Sequence, residues 1–176
     1  MIVETRVGDV RDCPVEYTVG QQCNCLTTKP HGLSHSIAEK WPWADVYGKR
    51  PKGPKPNVTT VPAKLGTCSV LAAHFSARRV VNMFAQWFPG IAADKRRYPI
   101  AAKYPPVPAA YGDDSAASRL RHFRACCKCI DDDPTITQLA VPKWIGCGLG
   151  GGNWTDYEHV LAEMTTDVYI YVLSKP

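Results

Sequence analysis

The sequence lacks the apolar segments that membrane-spanning and secreted proteins require. No apolar run approaches the roughly 20 residues that cross a bilayer, and the first residues, MIVETRVGDVRD, carry charges where a signal peptide needs an apolar stretch. The 8 cysteines among 176 residues are a smaller proportion than small disulfide scaffolds contain. We therefore expect a cytoplasmic or nuclear protein with reduced thiols that is neither secreted nor bound to a membrane.

Internal repeats and strong compositional bias are also absent. Hydrophobic residues make up 45% of the chain and charged residues 21%, close to the globular average, which excludes a disordered or fibrous chain. The formal net charge of +5 favours anionic partners but is lower than a dedicated nucleic-acid binder carries. The length fits one domain over residues 1–176, which we expect to be monomeric.

Strands alternate with helices along the chain. Alternating or β-branched apolar runs predict strands at 2–7, 17–24, 66–75, 79–84, 135–144 and 167–173. Helical spacing predicts helices at 33–40, with Ser34 as N-cap, at 115–130, with Arg119, Arg121 and Arg124 outward, and at 154–164. Proline-rich stretches predict internal loops at about 51–66 and 89–112. This alternation predicts an α/β fold with three α/β/α layers and a central mixed sheet.

Two loops that each connect a predicted strand to a helix are candidates for anion binding. The run GCGLGGG at 146–152 can surround a phosphate with backbone N–H groups at a helix N-terminus, although a mobile helix-entry loop remains the alternative. It matches neither the P-loop nor the dinucleotide fingerprint, so nucleoside triphosphate and NAD(P) chemistry lose support. The loop from Cys23 to Ser34 also follows a predicted strand and leads into a predicted helix. Because strand ends meet at one edge of an α/β sheet, the two loops together predict a diphosphate cleft.

Three segments together resemble a known family. They are Gly8-Asp9-Val10, Gln22-Cys23-Asn24-Cys25 followed by His31-Gly32-Leu33-Ser34, and IGCGLGGGNW at 145–154. Their order and spacing resemble macrodomains, the ADP-ribose-binding α/β/α family, over nearly the whole chain. The resemblance is closest to the branch of terminal ADP-ribose glycohydrolases and ADP-ribose 1″-phosphate phosphatases, which includes viral and phage members.

The resemblance implies where each part of ADP-ribose would lie. Adenine would meet Asp9 and Val10, the distal ribose would lie near Asn24 and Gln86, and the diphosphate would lie on the glycine run. The implied ligand-binding residues are Asp9, Val10, Asn24, His31, Gly32, Leu33, Ser34, Gln86, Gly146, Cys147, Gly148, Leu149, Gly150, Gly151, Gly152 and Asn153. The chain carries Gly150 and Gln86 where the glycohydrolases acting on acidic side chains carry aspartate and lysine. Their covalent lysine mechanism is therefore not expected.

Few ionisable groups remain to catalyse a reaction at the distal ribose. His31 is a candidate general acid or base, Asn24 a candidate for orienting water or a ribose hydroxyl, and Asp156 either a proton acceptor or only a first-turn acid of the helix. We expect a hydrolase acting at the distal ribose, either an ADP-ribose 1″-phosphate phosphatase or a mono-ADP-ribosyl hydrolase. A non-catalytic ADP-ribose reader and a nucleic-acid-binding domain are the alternatives. The expected partners are ADP-ribose or an ADP-ribosylated macromolecule, with poly(ADP-ribose) or RNA as further candidates.

Cysteines and basic loop residues offer weaker hypotheses. Cys126, Cys127 and Cys129 would point in different directions from one helix, which argues against zinc, and we expect no metal or cofactor. Cys147 in the glycine run has no acid and histidine partner in the sequence to activate it as a nucleophile. A basic cluster could bind nucleic acid or poly(ADP-ribose), or could be only a solvated surface; it comprises Lys49, Arg50, Lys52, Lys55, Lys95, Arg96 and Arg97.

Overall fold

The computed structural model describes residues 1–98, 100 and 102–174 and contains a six-stranded sheet with three α-helices. The strands are β1 Ile2–Val7, β2 Thr18–Asn24, β3 Cys68–Ala72, β4 Arg79–Gln86, β5 Gln138–Pro142 and β6 Asp167–Val172. The helices are α1 Leu33–Lys40, α2 Ala116–Asp131 and α3 Trp154–Ala162. The order across the sheet is β1-β6-β5-β2-β4-β3, and only the β3–β4 pair is antiparallel among the described strands.

The sheet is covered on both faces. Along β4, Val81 and Met83 point into a core formed with α2 and α3, whereas Val80 belongs to a second core that contains Ile37 of α1. Central strands buried on both faces are continuous apolar runs rather than alternating ones, which is the pattern of RVVNMFAQ in β4. The predicted three-layer α/β/α architecture with a mixed sheet is confirmed.

Several predicted boundaries move inward. The strand predicted from 135 begins at Gln138, because Thr135 is held in a turn by Asp133, whose carboxylate accepts from the N–H and hydroxyl of Thr135. The predicted N-cap Ser34 is wrong: α1 begins at Leu33, and Gly32, at φ 56°, takes the N-cap position with no side-chain bond. Ser34 is instead the second residue of the helix and is buried.

One side chain of α2 lies opposite to its prediction. Arg119 was expected outward with Arg121 and Arg124, but its side chain is only 2% exposed. The cause is Asp114, whose buried carboxylate pairs with the guanidinium near the start of α2. The helical pattern of apolar residues could not show this, because the partner lies outside the helix.

The long loops contain little regular structure. The stretch 51–66 has a single isolated bridge between Lys52 and Thr59, and the described part of 89–112 has two short 3-10 turns, at Ala93–Lys95 and Ala109–Tyr111. No helix in the described part of the chain has the length and apolar character to span a membrane.

Replacing Leu139 by alanine tests the position of the core. Leu139 of β5 is fully buried, and truncation of a buried leucine removes apolar contacts and leaves a cavity, so we expect Leu139→Ala to lower the free energy of unfolding by about 2–5 kcal/mol. The control Val70→Ala removes a side chain of β3 that is 38% exposed and should cost about 0.5 kcal/mol or less. Urea denaturation followed by circular dichroism measures both; equal losses would contradict the assigned core.

Candidate functional site

A groove with a volume of about 700 Å³ runs along the carboxyl edge of the parallel strands. Its floor comes from strand ends: Asp9 follows β1, Asn24 ends β2, Gln86 ends β4 and Pro142 ends β5. Ligands of open α/β sheets bind at this edge, because loops that begin at neighbouring strand ends surround a common crevice. The volume fits a ligand of nucleotide size.

Two bends face each other across this groove. One precedes α1 and includes His31 and Gly32; the other is the glycine bend, residues 146–152, before α3. A Cβ placed on Gly32 would lie 3.0 Å from Cδ1 of Leu149, so the two bends are in contact range. The expected juxtaposition of these bends is therefore present in the structure.

The glycine bend leaves three of its amides free and uses several of its carbonyl oxygens as acceptors. Within the described chain, the N–H groups of Gly146, Leu149 and Gly150 have no protein acceptor. The oxygens of Gly146 and Gly148 accept from the N–H groups of Gly152 and Gly151, each at 3.1 Å. Free amides beside a helix N-terminus are suited to bind an anion.

Tyr157 explains why glycine stands at both ends of the bend. A Cβ on Gly146 would lie 2.4 Å from Cε1 of Tyr157, and one on Gly152 would lie 2.7 Å from Cε2 of the same ring. By contrast, a Cβ on Gly148 would have nothing within 4 Å. Two glycines therefore serve packing against α3, and Gly148 stands open at the groove.

The side chain of Asn24 is occupied by its own loop. Oδ1 accepts from the N–H groups of Leu26 at 2.9 Å and Thr27 at 2.8 Å, while Nδ2 donates to Oγ1 of Thr27 at 2.9 Å. Asn24 lines the groove, and in this structure its amide shapes the loop; its role in orienting a water molecule or a ribose hydroxyl stays a prediction.

Arg50 holds the same loop from inside. Its guanidinium donates to the carbonyl oxygens of Thr27 and Asn24, both at 2.6 Å, and lies over the ring of Tyr47. The hydroxyl of Tyr47 accepts from the N–H of Asn24 at 3.1 Å. Arg50 is buried, so it must be removed from the predicted basic surface cluster, because its charge is used on carbonyl oxygens.

A neutral amide pair lies at the β2–β4 end of the groove. Gln86 donates through Nε2 to the carbonyl oxygen of Phe88 at 3.0 Å and accepts through Oε1 from Nε2 of Gln22, also at 3.0 Å. Both glutamines line the groove. This end therefore carries no charge at the position where the resembled glycohydrolases carry lysine.

The β1 end of the groove carries an ion pair. The carboxylate of Asp9 accepts from the N–H of Arg11 at 2.8 Å and from its Nε at 3.0 Å. These bonds to the arginine lower the pKa of Asp9, so the carboxylate is charged at neutral pH. Val10 is buried behind this turn, and His31 is exposed at the groove.

The structure brings most predicted ligand-binding residues together and leaves four of them outside, as well as the catalytic candidate Asp156. Twelve line the groove, namely Asp9, Val10, Asn24, His31, Gly32, Leu33, Ser34, Gln86, Gly146, Gly148, Leu149 and Gly150. The other predicted residues, Cys147, Gly151, Gly152, Asn153 and Asp156, are not part of its lining.

Three of the outlying residues have surroundings that indicate what they do. Asn153 caps α3 by accepting from the N–H of Thr155 at 3.0 Å. Burial raises the pKa of Cys147 to about 11, which keeps the thiol protonated and argues against a nucleophile. Asp156 is exposed on the first turn of α3 and does not line the groove, which is the position of the alternative, a first-turn acid of the helix; its role as a proton acceptor stays a prediction.

Metal binding has no support among the described residues. No group of three or more His, Cys, Asp or Glu side chains there has the arrangement to hold a metal ion. Cys126 and Cys127 are buried, whereas Cys129 is exposed, consistent with thiols that leave one helix in different directions.

Sequence reasoning missed several groove residues. Gln22 lies two positions before Asn24 on β2 and therefore on the same face, a signal that could have identified it. Arg11, Tyr47 and Trp144 also line the groove, but they come from loops and turns in which no periodicity indicates a direction.

Two of the solved structures with similar folds are macrodomains. The chain is similar to the macrodomain of Mycobacterium tuberculosis DarG, with a TM-score of 0.57 and 18% identity over 97% of this chain and 98% of that one. Similarity to the macrodomain of Thermus aquaticus DarG gives a TM-score of 0.55 and 16% identity over 97% and 98% of the two chains. A crystal structure of a Bacteroides thetaiotaomicron protein is also similar, with a TM-score of 0.57 and 17% identity over 98% of this chain and 99% of that one.

These similarities show a macrodomain fold. They cover nearly the whole of this chain, which agrees with the expected resemblance at the level of the fold. No protein-family model matches the chain, and no curated protein matches it in sequence.

Replacement by alanine should destabilise the protein strongly at Gly146 and hardly at all at Gly148. Gly146 has φ 71° and its Cβ would overlap the ring of Tyr157, so strain and overpacking should together lower the free energy of unfolding by about 2–4 kcal/mol. Gly148 has open space and no positive φ, so Gly148→Ala should change stability by about 0.5 kcal/mol or less. Thermal and urea unfolding of both variants measure the difference; equal stabilities would contradict the packing of Tyr157 against the bend.

Proposed function

We propose that this protein binds ADP-ribose in the groove. The observation that carries the proposal is the pair of amide-rich bends, at 31–34 and 146–152, which contact each other in one groove at the carboxyl edge of the sheet. A diphosphate between them would be bound by main-chain N–H groups and favoured by two helix N-termini.

The two ends of the groove fit the adenosine and the distal ribose of this ligand. At the β1 end, Asp9 and the buried Val10 offer a carboxylate and an apolar wall to adenine. At the other end, the Gln22–Gln86 pair provides neutral polar groups suited to ribose hydroxyls. The macrodomain fold of the structural neighbours supports the same ligand.

Charge substitution at Gly148 tests the diphosphate site. Because Gly148 lines the groove with space for a side chain, Gly148→Glu should fold normally and repel the ligand. We expect ADP-ribose affinity, measured by calorimetry, to fall at least about tenfold, the equivalent of 1.4 kcal/mol. Wild-type protein should bind ADP-ribose more tightly than AMP or ATP.

The matched control is Gly148→Gln, which has the same size without the charge. It should lose clearly less affinity than Gly148→Glu, and titration at two salt concentrations separates this site from general polyanion binding, which weakens steeply with salt. The proposal would be contradicted by a wild-type titration that gives no heat with ADP-ribose. Equal losses of ADP-ribose affinity in the two variants would contradict it as well.

We further propose that the groove hydrolyses a bond at the distal ribose, either a 1″-phosphate ester or a linkage to a macromolecule. The supporting observation is His31, an exposed imidazole in the groove lining, next to the amides that would bind the phosphates. Its role would be to give or take the proton of the leaving group or attacking water. The alternatives to His31 are weak, because Asn24 is engaged in its loop and Asp156 lies outside the groove.

Replacing His31 by alanine should separate catalysis from binding. General acid–base groups contribute about 100- to 10,000-fold, so His31→Ala should reduce turnover by that range while ADP-ribose affinity stays within about threefold of wild type. Release of phosphate from ADP-ribose 1″-phosphate, and of ADP-ribose from modified protein, identifies the bond. His35→Ala, an exposed histidine outside the groove, is the control; tight binding without turnover of either substrate would leave a reader module.

A further inference from the structure

A buried ion pair lies against the glycine bend without lining the groove. It joins Arg119 of α2 to Asp114, with side chains 2% and 1% exposed. Burying two charges has a large desolvation cost, which is recovered only when the geometry is good and the remaining donors are satisfied. The other partners of this arginine therefore indicate what the pair does.

The donors of Arg119 join two walls of the groove. Nη1 donates to the carbonyl oxygen of Gly150 at 3.1 Å, in the glycine bend, and to that of Gly90 at 2.6 Å, in the segment that follows β4. Nη2 donates to the carbonyl oxygen of Phe88 at 3.2 Å, in that same segment. Both Gly150 and Gly90 belong to the groove lining.

Asp114 orients the guanidinium and holds the same segment. Its two carboxylate oxygens accept from the N–H groups of Trp87 at 2.8 Å and Phe88 at 3.3 Å, in addition to the guanidinium. One ion pair thus binds both the N–H groups and the carbonyl oxygens of the segment after β4. It reaches the glycine bend through one hydrogen bond, from Nη1 of Arg119 to the carbonyl oxygen of Gly150.

The oxygen of Gly150 matters because of its neighbours in the chain. Leu149 and Gly150 present free N–H groups, whereas the carbonyl oxygen of Gly150 is occupied by Arg119 and by the N–H of Ala92 at 3.2 Å. Neither Gly150 nor Gly151 has a Cβ to resist rotation of the peptide between them, so its orientation depends on these bonds to the oxygen and on the bond from the N–H of Gly151 to the oxygen of Gly148. A rotated peptide would turn a carbonyl dipole toward an anionic ligand and repel it.

We propose that Arg119 is a positioning residue of the diphosphate site, which holds the Gly150 carbonyl oxygen away from the ligand so that the bend meets it with amides. This inference rests on the proposed ADP-ribose function. It gives α2 a part in recognition although, within the described chain, no residue of that helix lines the groove.

A positioning role predicts a loss that depends on ligand charge. In Arg119→Lys, a single ammonium cannot reach all the carbonyl oxygens that the planar guanidinium serves, so ADP-ribose affinity should fall about tenfold, the scale of one charge-assisted hydrogen bond. The affinity for adenosine, which has no phosphate, should stay within about twofold of wild type. Calorimetry measures the affinity for ADP-ribose, and ligand-observed NMR measures the affinity for adenosine.

The control must reproduce any loss of stability without touching the bend. Ile130→Ala truncates a buried residue at the opposite end of α2, and its affinity for both ligands should match wild type even if its melting temperature falls as far as that of Arg119→Lys. Equal loss of both ligands in Arg119→Lys, or the same ADP-ribose loss in Ile130→Ala, would overturn the inference and leave a structural role alone.

A readout without ligand keeps this test separate from the proposed function. In labelled protein, the carbonyl resonance of Gly150 and the amide resonance of Gly151 should shift in Arg119→Lys and stay in place in Ile130→Ala. If the two resonances do not move, the inference fails even where ADP-ribose binds. If they move but calorimetry of wild-type protein detects no binding of ADP-ribose, Arg119 still holds the Gly150 carbonyl oxygen, and it is the ADP-ribose assignment that fails.

Discussion

A main chain can bind an anion only where its N–H groups are free and its carbonyl oxygens are engaged elsewhere. In the glycine bend at 146–152, four carbonyl oxygens accept hydrogen bonds. Those of Gly146 and Gly148 accept from N–H groups within the bend, that of Gly150 accepts from Arg119 and Ala92, and that of Gly151 accepts from the ammonium of Lys95 at 2.9 Å. The groove depends on this arrangement more than on any side chain that it exposes. The free amides of the bend are therefore a product of how the chain folds.

Part of the positive charge of the protein is likewise used to bind backbone carbonyl oxygens. Arg50, Arg78 and Arg119 are all buried and all donate to carbonyl oxygens of irregular segments. Such segments leave backbone acceptors without strand or helix partners, and a planar guanidinium satisfies several at once. The formal net charge of +5 thus overstates the basic character of the surface, which weakens the nucleic-acid alternative.

The architecture could be predicted from the sequence because it depends on local patterns. The apolar run RVVNMF became β4, the helical spacing after Ser115 became α2 with Ser115 as its cap, and the glycine run stands between β5 and α3 as expected. Side-chain direction was less predictable where the partner is distant. The burial of Arg119 depends on carbonyl oxygens near position 90, and the occupation of Asn24 depends on turn geometry at 26–27, neither of which a periodicity shows.

The packing of Tyr157 and of the backbone against the glycine bend limits what evolution can change at two glycine positions. The ring fills the space that side chains at 146 and 152 would need, and unlike Gly146, Gly152 is not in the left-handed region. A smaller residue at 157 would remove the overlap with the ring, but a Cβ at 152 would still lie 2.9 Å from the backbone oxygen of Gly146. Among descendants of this chain, position 152 should therefore stay glycine even where residue 157 changes.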